Sequence, residues 1–123
     1  MKALELLETY EKAAETVKEY LRDKLIESLN TTELPEDFKE FARQQQIDND
    51  KVAGIIDSAP GALFEIFDKN DIYIVIDVNF IPGKPASFLH VSNMGSLPLN
   101  FSTRKEAELS AITEAFQILN DKL

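Results

Sequence analysis

Cysteine does not occur in these 123 residues, which excludes a disulfide framework and a thiolate zinc site, and leaves the redox compartment unread. Histidine occurs once, at position 90, so a histidine-rich metal site has no ligands to draw on. The four glycines are isolated, and no Walker loop, GxGxxG, GxSxG or EF-hand spacing can be assembled from them. No apolar run approaches the ~20 residues that cross a bilayer. The N-terminal MKALELLETYEKAAE carries charge every few residues and has no apolar centre of the signal-peptide kind. The chain is therefore expected to be soluble and cytoplasmic, without a membrane partner. Positive charge is also short: 13 Lys and Arg stand against 22 Asp and Glu, a formal net charge of -9. The bases are scattered singly among acids, so a phosphate backbone is repelled and nucleic acid is disfavoured as a partner.

What is present begins with Asp71 to Phe80, DIYIVIDVNF. Ile72, Ile74, Ile76, Val78 and Phe80 alternate onto one face of a strand. The other face carries Tyr73 and Val75 and turns polar at Asp77 and Asn79. This pattern predicts a central strand with one face fully buried and the other half covered. The length predicts a single domain over 1–123, able to bury about two-thirds of its unfolded surface.

Residues 2–29 read as one long helix, because Leu4, Leu7, Tyr10, Ala14, Val17, Leu21, Leu25 and Leu29 recur at spacings of three and four. At ~1.5 Å per residue such a rod is roughly 42 Å long, against a diameter near 35 Å for a compact domain of this size. It must bend, or its outer end must pack on a partner. The heptad-like seam Leu7, Tyr10, Ala14, Val17 and Leu21 reads first as the core face of a monomer, and its alternative use is as the candidate interface for a second copy or a protein partner.

A second helix spans 33–46, with Pro35 in its first turn, Glu36 and Asp37 at its positive end, and a narrow stripe of Leu34, Phe38, Phe41 and Ala42. Asp48-Asn49-Asp50 caps a third, carrying Val52, Ile55, Ile56 and Ala59 and closed by Pro60-Gly61. Its three Asp argue against a DNA-reading pair of helices. Residues 62–68 fit a helix ended by a left-handed Asn70, or a strand turning at DKND. Periodicity over so few residues does not arbitrate, and the flanking signals favour the helix.

Ile81-Pro82-Gly83-Lys84 predicts a type II turn. Residues 87–93 alternate as a second strand, Asn93-Met94-Gly95 turns, and Leu97, Leu99 and Phe101 form a third strand whose Pro98 marks an edge. Thr103-Arg104-Lys105-Glu106 is a capping box. The helix it opens runs to about Asn120 with Ala107, Ala111, Ile112, Ala115, Phe116 and Leu119 on one face. The expected fold class is α+β: N-terminal helices, one of them long, over 1–70, then a three-stranded antiparallel meander with a C-terminal helix packed on it over 71–123.

The stretch from Ile72 to Leu119, ending FSTRKEAELSAITEAFQIL, resembles short uncharacterised proteins of phage and mobile elements. In outline it is similar to HicB-type antitoxins, whose βββα unit is a partial ribonuclease-H-like sheet; this resemblance implies a regulator. It also looks like the double-stranded-RNA-binding domain, with Arg104 and Lys105 where the basic residues of that last helix stand. The RNA-binding loop of that family has no counterpart, and the acidic surplus opposes duplex binding.

Catalytic chemistry has few candidates. His90 sits on a strand between Leu89 and Val91, and a lone strand histidine is ordinarily packed. Asp68 and Asp71 flank a turn and suit caps for backbone amides. Asp77, mid-strand, is the one carboxylate without an evident structural task. A ribonuclease-H-like site needs several converging carboxylates around divalent metal. No catalytic, metal or cofactor residue is assigned, and the expectation is a non-catalytic binding or structural protein. Its contact surfaces would be the first helix and the edge strand Leu97–Phe101.

Overall fold

A computed structural model of the chain describes residues 2–92 and 100–123, with residues 89–92 described in backbone only. The described residues run α1 (Ala3–Thr9), α2 (Glu11–Thr31), α3 (Glu36–Arg43), α4 (Asn49–Ser58), a 3₁₀ turn (Pro60–Leu63), α5 (Phe64–Lys69), β1 (Ile74–Asn79), β2 (Ser87–Ser92), β3 (Asn100–Phe101) and α6 (Arg104–Lys122). The fold is α+β, with the last helix packed on a small antiparallel sheet.

That last helix, rather than β1, is the element the chain is organised around. It touches all three strands and also α2, α4, α5 and the 3₁₀ turn. Its buried residues are the predicted set: Ala107, Ala111, Ile112, Ala115, Phe116 and Leu119. The alanines allow close approach, and Phe116 meets Phe67 edge to face at 5.6 Å and 69°, the favoured geometry for two ring quadrupoles. Thr103 Oγ1 accepts the Glu106 amide at 3.1 Å, one arm of the expected capping box.

The sheet order is β1-β2-β3, and both pairings are antiparallel. Two expectations about β1 need correction. Among the described residues it is an edge strand and β2 is the central one. Its even face is dry only at the start: Ile72 is buried and Ile74 and Ile76 are partly so, while Val78 is 50% and Phe80 70% exposed. The reason is placement, since α6 lies mainly across β2. The type II turn forms as expected, with Lys84 N–H donating to Ile81 O at 3.1 Å and Gly83 at φ +83°. Of the predicted third strand, Asn100 and Phe101 are seen; the turn at 93–95 and residues 97–99 lie outside the described residues.

The predicted 28-residue rod is broken at Tyr10. No proline or glycine stands there. The amides of Lys12 and Ala13 instead donate to Asn120 Oδ1, at 3.1 and 3.2 Å. A side chain near the far end of the sequence thus caps α2, and the break lets α1 pack on α4 while α2 lies on α6. Residues 62–68 are helical, as their flanks favoured. The left-handed stop is Asp71 at φ 62°, not Asn70. Ile72 N–H donates to Phe67 O and Asp71 N–H to Asp68 O, which together make a Schellman motif. Its characteristic apolar contact pair, Phe67 and Ile72, lies in the core.

Candidate functional site

The predicted interface is largely internal. Leu7, Ala14 and Val17 are buried in the main core cluster, and Tyr10 and Leu21 are partly buried against it. The chain itself covers this face, so it is not an open docking surface. The seam is not one continuous helical face, because the helix breaks at Tyr10; its residues pack within the core cluster of the chain.

Asp77 and His90 stand at positions belonging to opposite faces of the sheet. The β1–β2 register sets Ile76 opposite His90 and Asp77 opposite Leu89, and directly opposed residues are the ones that share a sheet face. Asp77 itself is exposed. Among the described residues no three His, Asp or Glu side chains are grouped to hold a metal ion. A cleft of about 500 Å³ lies among α1, α4 and α6, lined in part by Leu4, Ala53, Gly54 and Leu109. Its Thr113 hydroxyl donates to Leu109 O at 3.0 Å, and is engaged in its own helix. A smaller cleft, about 260 Å³, includes Glu8, Glu11, Glu15 and Lys18, of which Lys18 already pairs with Glu15 at 3.1 Å.

A charged group ties α2 to α5. Glu65 Oε1 lies 3.4 Å from Lys24 Nζ and 3.8 Å from Lys69 Nζ. Lys69 Nζ also stands 5.0 Å from the centre of the Tyr20 ring, within cation–π range. Partial burial, a hydrogen bond to Glu65 and the charges of Glu65 and Glu27 push the Tyr20 hydroxyl up to about 12. The hydrogen bond from Tyr20, with that from Lys24, holds Glu65 below the usual carboxylate range. Both shifts come from a mutually satisfied surface knot, and each group is held in the form it already has near neutrality.

Among the described residues two apolar surfaces are uncovered. One is the outer edge and distal end of β1, with Tyr73, Val75, Val78, Phe80 and Ile81 exposed. The other is α3, which buries no residue at all and whose stripe is exposed: Leu34 38%, Phe38 56% and Phe41 64%. The α3 stripe was visible in the sequence, but its exposure was not. The hint is its narrowness, three apolar residues in a helix of eight, too few to anchor an element in a core. No known protein family, no curated protein and no solved structure matches this chain, and among the described residues no helix is long and apolar enough to cross a membrane.

Proposed function

We propose that the chain is a non-catalytic binding protein, of the kind encoded by phage and mobile elements, that self-associates through the outer edge of β1. The observation that supports this is the uncovered strand. β1 has a strand neighbour on one side only among the described residues, and the apolar side chains around it are exposed. An edge of unpaired N–H and C=O groups is a template for another strand, and antiparallel pairing about a two-fold axis satisfies both copies at once. Electrostatics favour this place over the rest of the surface. From Ile72 to Ile81 the sole charged residue is Asp77, while the whole chain carries -9, so two copies meet there with least repulsion.

Sedimentation velocity over a range of concentrations tests the reading. The expected result is a dimer that tightens as salt screens the like charges of the copies and dissociates on Val75→Lys. A strict monomer at high concentration overturns it. A second reading draws on the βββα order from Ile74 to Lys122: an antitoxin-like regulator with a HicB-like unit. It requires a toxin-like reading frame beside the gene, and an empty neighbourhood ends it.

A further inference from the structure

We propose that α3, held on the outer end of α2, is a docking site for a basic amphipathic helix of another protein. This goes beyond the self-association reading and uses a different surface. Past Leu21 the long helix leaves the main core cluster, and α3 has α2 as its main neighbour. Polar contacts fasten it at its C-terminal end. Arg22 donates to Arg43 O at 3.1 Å and Gln45 O at 3.4 Å, and Arg43 donates to Asn30 Oδ1 at 3.3 Å. An eight-residue helix is marginal in water without an apolar partner. Here Phe38 and Phe41 on the helix, with Leu34 just before its start, are exposed to solvent.

Charge selects the occupant. From Glu27 to Arg43 the sequence has five acids and two bases. Both bases are engaged: Lys39 lies 3.8 Å from Glu36, and Arg43 3.9 Å from Glu36 and 3.4 Å from Glu40. On a helical wheel Asp37 borders the exposed stripe, Glu40 lies one step further round, and Arg43, which pairs with Glu36 and Glu40, sits on the face turned away from the stripe. An incoming helix therefore meets two phenylalanines beside the Asp37 carboxylate, with Glu36 and Glu40 behind it already paired to Lys39 and Arg43. A second copy would bring its own acids, and a phosphate-rich surface would be repelled. A helix with leucine-like residues on one face and Lys or Arg beside them satisfies both halves of the site.

The test uses the full chain and three labelled peptides of roughly 18 residues: an amphipathic Leu/Lys helix, the same composition scrambled, and a Leu/Glu counterpart. Fluorescence anisotropy should show saturable binding of the Leu/Lys helix alone. The pair Phe38→Ser with Phe41→Ser should weaken it at least tenfold, and Asp37→Lys with Glu40→Lys should weaken it and remove its salt dependence. Amide shifts on titration should centre on α3. Since α3 buries nothing, the variants should keep the parent circular dichroism, and the serine pair should leave the sedimentation mass unchanged. Equal binding of the scrambled peptide, or unchanged binding by the serine pair, overturns the proposal. So does a lowered oligomer mass in that pair, which would make a second copy the occupant. A monomer that binds the peptide through Phe38 and Phe41 would overturn self-association and leave this site standing.

Discussion

The amides of Lys12 and Ala13 end on a side chain from the opposite end of the chain. Helix N-termini leave their first amides unpaired, and Tyr10, at the cap position, makes no side-chain cap bond. Asn120 Oδ1 takes both amides, so one residue of α6 fixes where α2 starts and how it docks. Asn120→Ala should cost about 1 kcal/mol, the usual worth of an N-cap, measured as a lower urea midpoint at unchanged slope. Asn120→Asp keeps the acceptor and adds charge favourable to the helix dipole, and should stay close to the parent. A loss as large with Asp as with Ala would show that the bond is not what matters there. Nothing local in the sequence announces this cap, because its donor and acceptor are separated by most of the chain. The contrast is Thr103, whose cap to Glu106 is three residues away and could be read directly. Asp71 falls between the two: a left-handed stop was expected in this turn, but asparagine is the commoner occupant, and the chain uses the aspartate one position later.

Among elements, the local ones were legible and the relations between them were not. The stripe of α6, the capped start of α4 at Asp48 and the Pro82-Gly83 turn each follow from spacing or backbone preference within a few residues. Which side of β1 has a neighbour does not, because alternation reports which side chains face a core and is silent on how many strands stand alongside. The α2–α5 contact is of this second kind, and it carries a pH signature. Tyr20 has its folded affinity for the proton raised, to about 12, above its ordinary value near 10. The folded state therefore retains a proton that the unfolded chain releases between those two values. Stability from this group is complete below the unfolded value and is lost as pH rises through about 12. Glu65 is shifted the other way: its contribution is complete above its unfolded value and is lost as acid titrates the folded carboxylate. Tyr20→Phe should flatten the alkaline limb of stability against pH and weaken the acid limb. Equilibrium urea unfolding of the parent and variant, compared at each pH, reads both. Identical limbs in the two proteins would mean that the Tyr20–Glu65 contact has no energetic weight.

At the scale of the molecule, burial is divided unequally. The core cluster joins α1, the first half of α2, α4, α5 and α6 with Ile72, whereas α3 contributes no buried residue. Opening free energies should follow that division, because a segment with few buried contacts can detach without exposing the rest. Amides of Ala111 to Leu119 in α6 should exchange only on global unfolding, while those of Lys39 to Arg43 in α3 exchange through a smaller local opening. Arg22→Ala removes the donors that hold the end of α3, and should speed exchange in α3 alone, with the main unfolding transition unmoved. Phe116→Asp acts at the opposite pole. It replaces a fully buried ring packed on Phe67 with a carboxylate, and such a change costs about 4 kcal/mol or more. That is comparable to the whole stability of an ordinary domain, so the variant should lose its cooperative transition at 25 °C. Native-state hydrogen exchange on the parent and on Arg22→Ala, with a denaturation curve for Phe116→Asp, resolves the two poles. Uniform protection across α3 and α6 would mean that α3 opens only with the cooperative core.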